Sequence, residues 1–255
     1  MTINFNQKEV NSLIIGVIIL GFIFGFDDGQ EIFIASHWLA NFFRFLLIAA
    51  ISLLIHVIAH KITANKFGAT IEYENWSIRR YWFSKKANFP LEVLGVKLLP
   101  IKKLPIGIVL ALLFAFTSLG KIIFATIESI KIKSDRIKRI GKQFPELTDF
   151  ETAIIGVSGP LISLFLALLF KSFNTPILEP FIKVNYVIAL YTMIPFPGLD
   201  GAKILFGSKG VYVLSLVFII MSIALIMVTG IAMAIFLSII TALILFLIYL
   251  YKESG

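Results

Sequence analysis

Between Val211 and Leu250 the chain runs for 40 residues without one charged side chain. A bilayer core needs only about 20 apolar residues per helical crossing, so this run is too long for one span. Thr229-Gly230, near its middle, is the expected turn between two closing helices within 211–250. Similar runs recur at Ser12–Phe26, Trp38–Ala64, Thr152–Phe170 and Pro180–Pro195. Backbone amides buried in lipid must be satisfied inside their own segment, so the runs predict helices. A β-barrel would instead alternate over segments of about 10 residues, and that pattern is missing.

Composition agrees. The 255 residues are 58% hydrophobic and 15% charged, with 25 Phe and a mean hydropathy of +0.94. A soluble domain would carry about 25% charged residues. The excess of 23 Lys+Arg over 15 Asp+Glu gives +8. In this setting a basic surplus marks the cytoplasmic loops of a multi-pass cell-membrane protein and contacts anionic headgroups. The basic loops 61–103 and 121–142 are accordingly expected in the cytoplasm, and no nucleic-acid partner is expected. With no cysteine, disulfides and thiolate metal ligands are ruled out. Ser12–Phe26 is preceded by Lys8 and Glu9 and followed by Asp27-Asp28, which suits an uncleaved first span better than a signal peptide.

The expectation is an all-α polytopic protein of six to seven transmembrane helices, forming one domain over 1–255 with its core at 38–205. The second helix is expected to leave the membrane at Lys61, Lys66 and Gly68. The stretch Ala69–Lys103 interleaves Arg79, Arg80, Lys85, Lys86, Lys97 and Lys102 with Tyr73, Trp76, Tyr81, Trp82 and Phe83, as headgroup-level segments do. Thr70–Tyr73 alternates weakly like a strand, and Ile122–Lys133 is a candidate hairpin. Leu104–Leu119 is apolar but short, with basic flanks on both sides, and either re-enters or crosses a thin bilayer. Together these make a small β-containing or re-entrant segment between the runs Trp38–Ala64 and Thr152–Phe170.

Ionisable side chains within or beside the apolar runs include Arg44, His56, His60, Asp200 and, at the edge, Lys203. Each is costly in lipid and is a functional candidate on that ground. His56 and His60 are four residues apart, so both imidazoles lie on one helix face and can reach one ion. Two buried imidazoles hydrogen-bonded to neighbouring helices would satisfy the same pattern. The H-E-x-x-H pattern adds a glutamate that takes a proton from metal-bound water, but here that position is Val57. Asp200 is the best third ligand. It follows Pro195-Phe-Pro-Gly198, a stretch that cannot continue a helix, and broken backbone at membrane depth lines a polar cavity or is buried in protein. A turn aspartate beside Gly201 at the surface is the alternative, and Gly159-Pro160 by itself reads as a helix kink.

Taken in order, these residues resemble the site-2 proteases, intramembrane zinc metalloproteases that cleave transmembrane helices, and their archaeal-type branch in particular. His56-Val-Ile-Ala-His60 is similar to the family's H-E-x-x-H helix, and Gly159-Pro160-Leu161 to its Gly-Pro motif. The segment Ile194 to Gly201 is similar to the Asn-x-x-Pro…Leu-Asp-Gly stretch that supplies the third ligand. The resemblance runs from about Ser12 to Leu205. It implies one zinc ion on His56, His60 and Asp200, with Thr192, Pro195, Gly159, Pro160 and Gly201 at the substrate or supporting positions. Thr192 stands where the family has its Asn, and Val57 where it has its base.

The resulting expectation is a site-2-protease-like protein that keeps the zinc ligands, lacks the general base, and binds transmembrane segments of substrates or clients without cutting them. An active intramembrane metalloendopeptidase with a non-standard base is the alternative. A metal or ion transporter is a third reading, against which stands the lack of repeats and paired broken helices.

Overall fold

The computed structural model describes residues 4–78, 92–93, 96–97, 103–135, 138–139, 141, 144–226 and 228–254. Most of the basic aromatic stretch, including Arg79 through Lys86, Lys102 and also Arg136, lies outside the described residues. Helices dominate: α1 (Gln7–Gly25), α2 (Ala35–Lys66), α3 (Ile106–Thr117), α4 (Asp149–Lys171), α5 (Glu179–Thr192), α6 (Asp200–Gly207), α7 (Lys209–Leu225) and α8 (Ile231–Ser254). Strands are β1 (Ala69–Asn75), β2 (Glu92–Val93), β3 (Val96–Lys97) and β4 (Glu128–Ser134). Among the described residues four helices, α1, α2, α4 and α8, are long and apolar enough to cross a membrane, while α3 and α7 are shorter apolar helices. At 12 residues α3 extends about 18 Å, well short of the roughly 30 Å hydrocarbon core.

The helix starts follow local chemistry. Asn6 caps α1 by accepting from Glu9 N, and Glu9 accepts in return from Asn6 N, a reciprocal capping box. Thr148 and Glu151 repeat the device at α4. Small residues then set how closely helices pack. A Cβ at Gly21 would meet Leu46 Cα at 2.9 Å, so α1 and α2 touch backbone to backbone there. The expected turn near Thr229-Gly230 is present between α7 and α8.

Lys61 is not an outward-facing end of its helix: α2 continues to Lys66, and the Lys61 ammonium is buried within the protein. It donates to Glu9 Oε1 at 2.9 Å and to Asn4 O at 2.7 Å, while Glu9 Oε1 also accepts from Tyr73 N. Full hydrogen bonding is what makes such a buried pair tolerable. Nor does Ile122–Lys133 form a hairpin. Its second half is β4, which pairs antiparallel with the distant β1, Ala69 opposite Ser134 and Asn75 opposite Glu128. The polar outer edges of this strand pair are held by Lys131 and Lys103 on Glu74 and by Lys133 on Glu72.

The strand pair rests on the loop between α5 and α6. Trp76 Nε1 donates to Pro197 O at 3.0 Å, and Ser129 Oγ donates to Gly198 O at 2.6 Å. Gly198, at φ +97, takes a backbone conformation that a side chain would strain. Loop and strands therefore face each other over the contact of α2, α4 and α6, where the polar residues converge.

Candidate metal centre

His56 and His60 project from the C-terminal half of α2 toward α4, and both are fully buried. Their Nε2 atoms stand 3.1 Å apart. Each Nδ1 has its own partner on α4: His60 Nδ1 donates to Ile155 O at 2.7 Å, and His56 Nδ1 lies 2.8 Å from Ser163 Oγ. A carbonyl can only accept, so His60 carries its proton on Nδ1 and turns the Nε2 lone pair into the site. Metal-ligating histidines are commonly oriented this way.

Asp200 arrives from the opposite side. Pro195 and Pro197 prevent α5 from continuing, and the chain turns at Gly198 to restart as α6 with Asp200 in its first turn. A Cβ at Gly201 would collide with the Met193 carbonyl, so only glycine permits this tight return. Asp200 Oδ2 lies 3.0 Å from His60 Nε2 and 3.7 Å from His56 Nε2, and among the described residues it has no hydrogen-bond partner. Oδ1 is 3.3 Å from Lys203 Nζ, which also donates to Gly198 O at 2.7 Å.

The donor set fits a metal ion. A tetrahedral centre with bonds of about 2.0–2.2 Å has ligand-to-ligand edges of about 3.3 Å, and the three observed edges are 3.1, 3.0 and 3.7 Å. An orphaned carboxylate oxygen facing a histidine lone pair is repulsive unless a cation or proton lies between. Gly159 supplies the room. A Cβ there would collide with the Nε2 atoms of both histidines, so the helix kink residue of the sequence reading is the floor of the site. Pro160 follows it, buried within α4. His56, His60 and Asp200 thus form a buried group able to hold one metal ion.

The other positions that the motifs single out have surroundings of their own. Thr192 is buried with its hydroxyl donated to Ile188 O at 2.8 Å on its own helix. Pro195 borders an apolar cavity of about 280 Å³ between α5 and α7, lined also by Leu190, Met193, Ile194, Tyr212 and Leu216. Val57 is completely buried in the apolar core formed with Leu53 and Ile71. Arg44 donates to Ile177 O, and His37 pairs with Asp28, both away from the buried group.

One residue was not placed by sequence reasoning. Glu128, the first residue of β4, is buried, and its Oε1 lies 3.3 Å from His56 Nε2. Burial, and after it the Asp200 charge, push the Glu128 carboxyl well above the usual carboxylate range, with Lys203 opposing. A bound divalent cation acts in the other direction. No local signal could have found it, because its position depends on β4 pairing with β1.

Comparison of the chain with protein-family models, with curated proteins and with solved structures gives no match. The likeness to site-2 proteases rests on the motifs.

Proposed function

We propose that this chain is a site-2-protease-like zinc peptide hydrolase that acts on transmembrane segments of other membrane proteins from within the bilayer. The observation that supports it best is the convergence of two histidines from α2 and one aspartate from α6 on a space that Gly159 keeps open. Two imidazoles and one carboxylate leave a fourth position for water or a carbonyl oxygen, as catalytic zinc sites require. When bound, zinc lowers the pKa of water toward about 7 and polarises a peptide carbonyl. The chain's own part is to orient the ligands: Ile155 fixes the His60 tautomer, Ser163 holds His56, and Lys203 anchors Asp200. On this reading the helices make six or seven crossings, and the basic loops 61–103 and 121–142 face the cytoplasm.

Val57 favours a second reading, in which the site binds zinc and transmembrane segments but does not cut. Two measurements test the proposal on purified protein in detergent. Metal analysis is expected to find one zinc per chain, lost in His56→Ala; unchanged zinc in that variant would remove His56 from the site. Cleavage of a single-span substrate, stopped by a chelator, would reject the binding-only reading. Cleavage by Val57→Glu alone would reject the active one.

A further inference from the structure

We infer that Glu128 is the general base of this site, standing in space where the chain lacks a glutamate in sequence at Val57. The inference rests on the peptide-hydrolase reading above.

Three observations carry it. First, the candidates are few: among the described residues the buried carboxylates are Glu9, Glu128 and Asp200. Glu9 is consumed by Lys61, Asn6 N and Tyr73 N. Asp200 belongs to the metal-ligand group. Second, Glu128 makes no ion pair with a lysine or arginine, and the Lys203 charge acts on it only from a distance. Among the described residues no Lys or Arg comes within 4.0 Å of it, and its one such partner is His56. A carboxylate buried for structure alone would be paired as Glu9 is. Third, its placement is that of a neighbour and not of a further ligand. Its carboxylate comes within 4.0 Å of His56 but not of His60, and it stands outside the trio whose donor atoms all lie within 4.8 Å of one another.

Its support is rigid on both sides. Glu128 is directly opposite Asn75 in the strand pair, and Trp76 N donates to Ile127 O at 2.6 Å just before it. Ser129, the next residue, is latched to Gly198, two residues from Asp200. The backbone that carries the carboxylate is therefore held against β1 and, through Ser129, beside the loop that leads to Asp200. Asn75 Oδ1 and Tyr73 OH, on the same face of the pair, have no hydrogen-bond partner among the described residues, which is capacity suited to water.

In the reaction, a water molecule gives a proton to the Glu128 carboxylate as its oxygen bonds to the scissile carbonyl carbon. The C–N bond then breaks while Glu128 returns that proton to the leaving nitrogen. Proton transfer between the acid and amine formed leaves a carboxylate and an ammonium, with one water consumed and Glu128 regenerated.

The test uses full-length protein and the variants Glu128→Gln and Val57→Glu/Glu128→Gln, with zinc content, affinity for a simple hydroxamate, and cleavage of a single-span peptide as readouts. Glu128→Gln is expected to keep one zinc per chain and to lose about 10²–10⁴-fold in cleavage. Hydroxamate affinity should fall about 10-fold or more, because the inhibitor donates a hydrogen bond to the ionised base. The double variant should recover part of the cleavage. Loss of zinc in Glu128→Gln would make Glu128 a ligand and overturn the inference. So would cleavage within threefold of the unmodified protein. If the unmodified protein holds zinc yet cleaves nothing, the hydroxamate decides: equal affinity in both proteins overturns the inference while leaving the metal site intact. Absence of zinc from the unmodified protein would instead defeat the underlying hydrolase reading.

Discussion

Gly159→Ala is the smallest change that should destroy the candidate centre. The added Cβ would stand 2.7 Å from His56 Cε1 and closer still to both Nε2 atoms. Carbon atoms prefer about 3.5–4.0 Å, so the ring must retreat by about 1 Å. Metal coordination tolerates only about 0.2 Å of error in ligand distance. The rings cannot retreat freely, since His60 Nδ1 is bonded to Ile155 O and His56 Nδ1 to Ser163 Oγ, both on the helix that carries the new methyl. Zinc affinity should therefore fall at least 100-fold, about 2.8 kcal/mol, and overpacking should cost the metal-free fold about 1–3 kcal/mol. Competition with a chromophoric chelator measures the first quantity, and thermal unfolding in detergent the second. Gly156→Ala is the control: its Cβ would meet Ile204 Cγ1 at 3.0 Å and Asp200 O at an ordinary 3.5 Å, but no histidine. Zinc affinity of Gly159→Ala within threefold of the unmodified protein would refute the placement of the ion beside α4.

Glu9→Ala should destabilise the protein by about 3–5 kcal/mol by leaving the Lys61 ammonium buried without its counter-charge. Replacing both residues by apolar ones of similar volume should recover much of that loss. A denaturant midpoint unchanged by Glu9→Ala would contradict the ion pair. Acid should weaken the strand pair through Glu74. Burial raises its pKa, but hydrogen bonds from Lys131 and Lys103 outweigh this and hold the value below 4.5 in the folded state. The folded group is the stronger acid, so its contribution is complete above about pH 4.5 and is lost as pH falls through the lowered folded value. The melting temperature of Glu74→Gln should accordingly fall less steeply between pH 5 and 3, and parallel curves would argue against the contact.

The histidine pair was legible because helical periodicity is a local rule: once α2 is a helix, His56 and His60 must share a face. Asp200 was legible for a different reason, since two prolines and a glycine in an apolar run announce broken backbone where a polar group can be used. Gly159 was visible as a residue but not in its role. Its importance lies in the absence of a side chain opposite α2, which only helix packing reveals. Glu128 was hidden altogether. It begins a strand of mixed pattern, and its partner β1 lies beyond more than fifty intervening residues. The burial of Lys61 was not legible, because nothing local announced Glu9 as its counter-charge. Length explains the difference between the expected crossings and the four long helices, since apolarity alone does not separate α3, at 12 residues, from a span.

The bonds from Trp76 and Ser129 to the Pro197–Gly198 carbonyls have a mechanical consequence. They couple the strand that bears Glu128 to the turn that bears Asp200, so neither can shift without dragging the other. On the hydrolase reading proposed above, a client helix that pried the strands aside to reach the histidines would disturb the centre it seeks. Entry must instead follow a direction that leaves both carbonyl latches fastened, which makes the latches a restraint on the path any polypeptide can take inward.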